Sequence, residues 1–248
     1  MLSDAAGRCG GVPPFAATQP RPQRQAAVWT RLPGMDRDST LPSAAFRRAD
    51  ETPDEVFYRQ PRFVTHIDAG AIAAVTGLYR EYFPAGGRIL DLMSSWVSHL
   101  PPEVPYAEVA GLGLNRAELE RNPRLTSFVV QNLNTTPRLP FAAGRYDAAG
   151  ITVSIDYLTD PVAVLRDLGR VLVPGGPVVI SFSNRCFPTK AVAVWHTLDD
   201  AGHLELVRRY LETAGNWTDI ATLDRSPRSA RGALTGDPLY AVVGRARG

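Results

Sequence analysis

From residue 68 onward, short apolar runs alternate with helical segments, and this alternation restricts the fold more than any other feature. Segments such as DAGAIAAVTGLYREYF (68–83), with Asp68 as the predicted N-cap, have the three- and four-residue apolar spacing of an amphipathic helix. Strands separated by helices form right-handed βαβ units with parallel strands. Five runs have the length and composition of buried strands: RILDL (88–92), YAEVAGLGL (106–114), SFVVQNL (127–133), YDAAGITVS (146–154) and PVVISFS (177–183).

Two further strands are predicted near the carboxyl end, TDIATLDRS (218–226) and LYAVVGRAR (239–247). Only a loop without helical periodicity separates them, so we expect them to pair antiparallel. Residues 189–215 read as one or two helices, with Gly202 as a plausible break. The predicted fold class is α/β: a doubly wound, mostly parallel seven-stranded sheet with an antiparallel edge strand.

The first 50 residues differ from the rest of the chain. They contain six prolines and seven arginines without sustained periodicity, a composition that does not favour a core. We therefore predict a flexible or surface-wrapping extension over residues 1–50 and a single domain over residues 51–248. Within that domain, residues 51–67 form a polar segment with interleaved aromatics and are a candidate lid.

Composition excludes several classes of function. The 27 basic and 25 acidic residues give a net charge of +2, so neither nucleic acid nor an anionic membrane is an expected partner. No apolar run approaches the length of a membrane-spanning helix. The four histidines lie at no metal-ligand spacing, so no metal is predicted. Two cysteines favour a reducing, cytoplasmic compartment.

Ligands of doubly wound sheets bind beyond the carboxyl ends of the strands, where the winding reverses. The first strand runs into the loop MSSW (93–96), directly after the acidic Asp91. Glycine commonly occupies such loops, because it lets the backbone approach a ligand closely, but this loop has none. Serine hydroxyls and helix-start N–H groups are the alternative ligand donors there.

Residues 139–182 carry the strongest family resemblance. The elements LPF (139–141), YD (146–147) and RVLVPGG (170–176) occur in the order and spacing typical of class I S-adenosylmethionine-dependent methyltransferases. The chain resembles a branch of that superfamily in which the first loop reads DLMSSW. The resemblance covers roughly residues 68–245 and implies S-adenosylmethionine as cofactor.

The resemblance assigns the strand exits to the cofactor, with two departures. Gly113 stands where the superfamily commonly has an acid that binds the ribose, and Asn115 either replaces that contact or only caps the next helix. Asn132 either contacts the adenine or caps a turn. The implied cofactor-binding residues are Asp91, Met93, Ser94, Ser95, Trp96, Gly111, Gly113, Asn115, Asn132, Leu133 and Ser154.

Residues near the same edge of the sheet are candidates for the transfer step. A methyl transfer needs a positioned nucleophile and, for some acceptors, a base. The candidate catalytic residues are His66, Asp156 and Tyr157, and the candidate substrate-binding residues are Tyr58, Arg62, Asn184, Arg185 and Lys190. Lys190 attracts notice because it is the single lysine beside 26 arginines.

The predicted function is methyl transfer from S-adenosylmethionine to a small-molecule acceptor, by a monomer or a homodimer. The alternative is a non-catalytic cofactor-binding pseudoenzyme, because two usual binding positions are altered. A nicotinamide dehydrogenase is a weaker alternative, because no Gly-x-Gly-x-x-Gly motif follows the first strand.

Overall fold

A computed structural model describes residues 7–8 and 41–248. The first long helix lies close to the segment predicted over residues 68–83, and Asp68 caps it by accepting a hydrogen bond from the Ala71 amide at 2.9 Å. Short 3₁₀ turns occur at Ser43–Phe46, Ile155–Tyr157 and Trp195–Thr197. The α-helices are α1 (Asp54–Phe57), α2 (Ala69–Tyr82), α3 (Arg116–Arg121), α4 (Pro161–Val171) and α5 (Asp200–Ala214).

The strands confirm the predicted fold class. They are β1 (Gly7–Arg8), β2 (Arg88–Leu92), β3 (Glu108–Gly113), β4 (Ser127–Val130), β5 (Ala148–Thr152), β6 (Pro177–Phe182), β7 (Arg185–Cys186), β8 (Trp217–Asp224) and β9 (Tyr240–Ala246). Seven of them form one sheet in the order β4-β3-β2-β5-β6-β9-β8. Strands β2 to β6 run parallel, whereas β9 is antiparallel to both of its neighbours. β1 pairs with β7 outside this sheet.

The winding of the sheet reverses between β2 and β5. From β2 the chain moves outward through β3 and β4, and then returns to the other side of β2 with β5. In register, Asp91 lies opposite Gly111 on one side and Gly150 on the other. The carboxyl ends of the central strands therefore lie together at one edge, the position at which doubly wound sheets bind ligands.

Both faces of the sheet are covered by apolar packing. Leu90 and Ile151 belong to a cluster with α4 and α5, whereas Ile89 and Val179 pack with α2 on the opposite face. Complete burial of each such side chain contributes roughly 1.5–3 kcal/mol. The parallel strands are thus rigid and hold the loops at their carboxyl ends in fixed positions.

Three local predictions are wrong. Gly202 does not break a helix: it lies in the first turn of α5, where its amide donates to the capping carboxylate of Asp199 at 2.8 Å. No helix starts at Lys190, because residues 189–194 form turns around one isolated bridge. The helix start expected after the loop MSSW is absent, because residues 93–107 contain no helical turn.

The described part of the predicted extension lies on the domain surface. The Ala45 and Arg47 carbonyls accept from the Val194 and Ala193 amides at 2.9 and 2.8 Å. The Phe46 ring packs on the main apolar cluster. Residues 41–50 therefore wrap the domain, and residues 1–6 and 9–40 of the predicted extension lie outside the described residues. Within residues 41–248, no helix is long and apolar enough to cross a membrane.

Candidate functional site

A cleft of about 970 Å³, counting its mouth, opens at the carboxyl ends of the central strands. Residues 54–66 cover one side of the cleft and the loop after β7 another. Its lining comprises Asp54, Tyr58, Arg62, His66, Met93, Ser94, Ser95, Leu112, Gly113, Leu114, Asn115, Glu118, Gln131, Asn132, Leu133, Asn134, Val153, Ser154, Tyr157, Leu158, Arg185, Cys186 and Phe187.

The loop after β2 achieves a tight turn without glycine. Met93 has a left-handed backbone with φ of 58°, a conformation uncommon for residues other than glycine. The Ser94 amide then donates to the Leu112 carbonyl at 2.8 Å. A β-carbon on Gly113 would overlap the carbonyl oxygen of Ser94. The glycine that permits close approach is therefore on the neighbouring strand and not in the loop.

Asp91 fixes the same loop from below. Its Oδ2 accepts hydrogen bonds from the Ser94 and Ser98 hydroxyls, each at 2.6 Å. Asn122 Nδ2 donates in turn to Ser98 Oγ at 2.8 Å. Burial raises the pKa of Asp91 to about 6, opposed by the two serine hydrogen bonds. Asp91 and Trp96 do not line the main cleft but a smaller pocket beside it.

The exit of β5 is also strained. Val153 has a left-handed backbone with φ of 44°, which is a genuine outlier for a β-branched residue. The next side chain, Ser154, has a buried hydroxyl with no hydrogen-bond partner among the described residues. Strain of this kind persists where the surrounding structure enforces it, commonly at functional sites. Met93 and Val153 follow adjacent strands and both line the cleft.

Asn115 is the N-cap of α3 and has both polar atoms engaged. Its Oδ1 accepts from the Glu118 amide at 3.1 Å. Its Nδ2 donates to the Tyr58 and Arg59 carbonyls at 2.8 and 3.2 Å. Asn115 therefore caps α3. Its contact with the ribose stays a prediction, and that contact would require Nδ2 to break its hydrogen bonds with the Tyr58 and Arg59 carbonyls.

Glu118 brings a carboxylate into the cleft that the sequence did not reveal. Its Oε1 accepts from the Arg62 amide at 2.6 Å and its Oε2 from the Ser95 hydroxyl at 2.7 Å. It therefore joins the lid segment to the loop after β2. In the sequence, Glu118 looks like an ordinary polar residue of a short helix. Its position three residues after the cap Asn115 is the one signal that could have placed it in the first turn of α3.

The exit of β4 is a network of amides. Asn132 Oδ1 accepts from the Asn134 amide at 2.9 Å, and Asn132 Nδ2 donates to Glu55 at 2.8 Å. Asn134 Nδ2 donates to Asp54 Oδ2 at 2.9 Å and to the Tyr157 carbonyl at 3.0 Å. Asn132 caps a turn here, and its adenine contact, like that of Leu133, stays a prediction.

Residues 51–67 are tied to the domain at several points. Trp96 Nε1 donates to the Val64 carbonyl at 3.0 Å, and its ring packs edge-on against Phe63. Phe57 and Tyr58 both pack edge-on against Phe187 across the cleft. The predicted lid thus closes one side of the cleft in this structure.

The three candidate bases differ in position. His66 lines the cleft with its ring edge-on to Phe187. Tyr157 also lines it, but its hydroxyl accepts from the Phe187 amide at 2.8 Å, and burial followed by the Asp156 charge raises its pKa far above 10. A neutral phenol held this way is a poor base.

Asp156 requires a correction, because its side chain is buried and does not line the cleft. Burial raises its pKa to about 8, and Oδ2 has no hydrogen-bond partner among the described residues. The carboxyl group packs near the Tyr58 and Tyr210 rings, whose pKa values are raised first by burial and then by the Asp156 charge. The 3₁₀ turn at Ile155–Tyr157 directs this side chain inward, away from a substrate.

The predicted substrate-binding residues are only partly brought together. Tyr58, Arg62 and Arg185 line the cleft, whereas Asn184 does not. Arg185 Nε already donates to Asp237 Oδ1 at 3.1 Å. The amide oxygen of Asn184 is buried and lacks a partner among residues 41–248.

The substrate-facing role of Lys190 is wrong. Its side chain is fully buried, and its Nζ donates to the Asp50 carbonyl at 3.1 Å and to the Thr52 carbonyl. Nζ also lies 3.6 Å from Asp54 Oδ1 and 5.1 Å from the centre of the Phe57 ring. A buried ammonium needs such partners, so Lys190 anchors the start of the lid and does not meet a substrate.

Gly111 is a packing position, because a β-carbon there would lie 2.5 Å from Leu125 Cδ1. The structure brings most of the remaining predicted cofactor residues to the cleft. Within the described part of the chain, no three potential ligands are grouped to hold a metal ion. Lining residues missed by the sequence include Asp54, Asn134, Val153 and Phe187, which come from loops without a periodic signal.

Comparisons with known proteins agree with the fold described above. Residues 95–180 match the family model of the methyltransferase domain. No curated protein matches the chain.

Three solved structures illustrate the similarity of fold. The [4+2]-cyclase SpnF is 16% identical, with 70% of this chain and 80% of that chain covered and a TM-score of 0.51. A methyltransferase structure solved with the Haloferax volcanii Trm112 activator is 15% identical, with coverages of 72% and 90% and a TM-score of 0.51. Haemonchus contortus phosphoethanolamine N-methyltransferase 2, in complex with S-adenosyl-L-methionine, is 15% identical, with coverages of 71% and 52% and a TM-score of 0.50.

Proposed function

Because residues 95–180 match the methyltransferase-domain family model and the chain shares its fold with solved methyltransferases, we propose that it is a class I S-adenosylmethionine-dependent methyltransferase and that it methylates a small-molecule acceptor in the cleft beneath residues 51–67. The observation that carries this proposal is the convergence of four strand exits on one cleft, closed on one side by the lid. A macromolecular acceptor would have to displace the lid. A cytoplasmic location and a monomeric or homodimeric state remain predictions from the sequence.

The residues present fit the cofactor in three respects. Gly113 lets the Ser94 carbonyl pack directly against the second strand exit, because a β-carbon there would overlap it, and both residues line the cleft. Ser154 offers a buried hydroxyl that lacks a partner among the described residues. Asn132, Leu133 and Met93 line the same cleft. We assign the methionine end to the loop after β2 and the adenine to the exit of β4.

In this proposal the chain contributes position, exclusion of water and a base. When bound, S-adenosylmethionine supplies a methyl group activated by its sulfonium. The lid residues Tyr58 and Arg62 and the facing Phe187 hold the acceptor in line, because fixing two reactants removes much of the entropic barrier. His66 accepts the acceptor's proton where the acceptor must lose one. Tyr157 stays protonated and shapes the wall.

Calorimetry and a turnover assay test the proposal together. We expect one S-adenosylhomocysteine site per chain, and formation of S-adenosylhomocysteine from S-adenosylmethionine when small nucleophilic acceptors are added. The turnover arm is needed because the fold is shared with a [4+2]-cyclase. Absence of binding at about 1 mM ligand contradicts the proposal. Binding without transfer to any acceptor favours the non-catalytic alternative.

A further inference from the structure

Arg62 lines the cleft and has a buried hydrogen-bond donor without a partner among the described residues. Its Nη2 donates to the Phe57 carbonyl at 3.1 Å, whereas its Nη1 is buried and has no partner among the described residues. A buried donor without a partner destabilises the unliganded protein. The penalty is relieved if the guanidinium donates to an oxygen of a bound ligand.

The other charged side chains that line the cleft already have partners in ion pairs or hydrogen bonds. Arg185 donates to Asp237 at 3.1 Å. Asp54 accepts from Arg48 at 2.7 Å and lies near Lys190. Both carboxylate oxygens of Glu118 accept hydrogen bonds, from the Ser95 hydroxyl and from the Arg62 backbone amide. Within residues 41–248, the Arg62 guanidinium forms no ion pair, so it is a lining cation with which a ligand can pair directly.

Aromatic rings surround this charge. The guanidinium carbon lies 4.7 Å from the centre of the Phe57 ring, 5.6 Å from that of Tyr58 and 5.1 Å from that of Phe187. Stacking on rings holds a guanidinium in place while its N–H edge remains available. Tyr157 and Leu158 extend the apolar lining. The site therefore offers one cationic edge beside an apolar, aromatic wall.

We propose that Arg62 binds the carboxylate of the acceptor, so that the substrate class is a monocarboxylic acid with an apolar body. This inference rests on the proposed function and narrows it. The single positive charge of Arg62 neutralises the single negative charge of a carboxylate. A phosphate dianion would keep one negative charge buried without a partner, which is unfavourable. The carboxylate anchors the acceptor and is not itself methylated, because hydrogen bonds from the guanidinium make its oxygens poorer nucleophiles.

The position of Arg62 favours the acceptor over the methionine carboxylate of the cofactor. Its guanidinium stacks on Phe187, which follows β7 and contacts Tyr157 at the exit of β5. The methionine end is assigned to the loop after β2, where Ser94 and Ser95 lie. Separate measurements of cofactor affinity and acid affinity show whether Arg62 binds the carboxylate of the acceptor or that of the cofactor.

The test uses protein saturated with S-adenosylhomocysteine and matched ligand pairs. Benzoate, 4-hydroxybenzoate, indole-3-acetate and hexanoate are each titrated against the corresponding primary amide. We expect at least one acid to bind about tenfold or more tightly than its amide. Arg62→Met abolishes that preference, Arg62→Lys retains part of it, and both keep the wild-type affinity for S-adenosylhomocysteine within about twofold.

Controls and contrary results are separable. Arg80→Met removes an exposed arginine that pairs with Glu103, away from the lining, and should leave all affinities unchanged. Arg62→Gln replaces Arg62→Met if the latter fails to fold. Equal binding of acids and amides, or a preference that survives loss of Arg62, overturns the inference. A fall only in S-adenosylhomocysteine affinity assigns Arg62 to the cofactor instead, and no S-adenosylhomocysteine binding by the wild type refutes the proposed function itself.

Discussion

The carbonyl oxygen of Ser94 lies against Gly113 at a point where any β-carbon would overlap it. The loop after β2 is therefore seated on the neighbouring strand, and its amide hydrogen bond to Leu112 continues that contact. The loop without glycine can therefore approach β3 closely, because Gly113 leaves room for the Ser94 carbonyl. The identity of residue 113 thus controls the shape of the cleft.

Gly113→Ala should displace the loop and weaken binding of S-adenosylhomocysteine at least tenfold. Overpacking of this kind costs about 1–3 kcal/mol in stability as well. Gly77→Ala is the matched control, since a β-carbon there meets nothing within 4 Å. It lies inside α2 and should gain up to about 1 kcal/mol. Calorimetric titration and thermal unfolding check both variants, and unchanged affinity in Gly113→Ala contradicts the role assigned to it.

Lys190→Met should destabilise the protein by about 3 kcal/mol, because it leaves Asp54 and two backbone carbonyls short of a buried partner. Arg80→Met breaks an exposed pair with Glu103 and should cost less than about 1 kcal/mol. Urea denaturation compares the two. Equal losses would mean that the buried network does not anchor the lid.

Trp96→Phe should loosen the lid while keeping an aromatic ring against Phe63. It removes the N–H that donates to the Val64 carbonyl and replaces the indole by a smaller ring. Amide hydrogens of residues 59–66 should then exchange faster and limited proteolysis should cut there earlier. Trp217→Phe removes an equivalent hydrogen bond, to the Leu165 carbonyl at 3.1 Å, away from the cleft, and should leave exchange in the lid unchanged. Identical lid exchange in Trp96→Phe and the wild type would refute this contact as the tether.

The stability of the Asp156→Asn variant relative to that of the wild type should increase as the pH rises. Burial raises the pKa of Asp156 to about 8 in the folded protein, whereas an unfolded aspartate has a pKa of about 3.9. The folded state thus holds a proton that the unfolded state releases, and stability falls as the pH rises from about 4 to 8. Urea titrations at pH 5.5 and 8.5 measure the free energy of unfolding of both proteins. The variant-minus-wild-type difference should increase by at least about 1 kcal/mol between the two pH values. Parallel changes in both proteins would place the carboxyl group in solvent.

Much of the fold could be predicted from the sequence, because local periodicity and capping are local properties. The Asp68 and Asn115 caps and the order of strands and helices follow from residues a few positions apart. Long-range pairings left no such signal. Lys190 reads as an isolated cation, yet its partners come from residues 50–54. The contact between Gly113 and the Ser94 carbonyl likewise could not be predicted, because it forms only when β2 and β3 pair in the folded sheet.

Hydrogen–deuterium exchange with and without S-adenosylhomocysteine tests the central claim most directly. We predict slower exchange at residues 93–96, 113–118, 132–134 and 153–158, together with the lid over residues 54–66. The loop over residues 227–238, which lies away from the cleft lining, should exchange at the same rate in both states. Unchanged exchange at the four strand exits, or protection confined to other parts of the chain, would contradict the site.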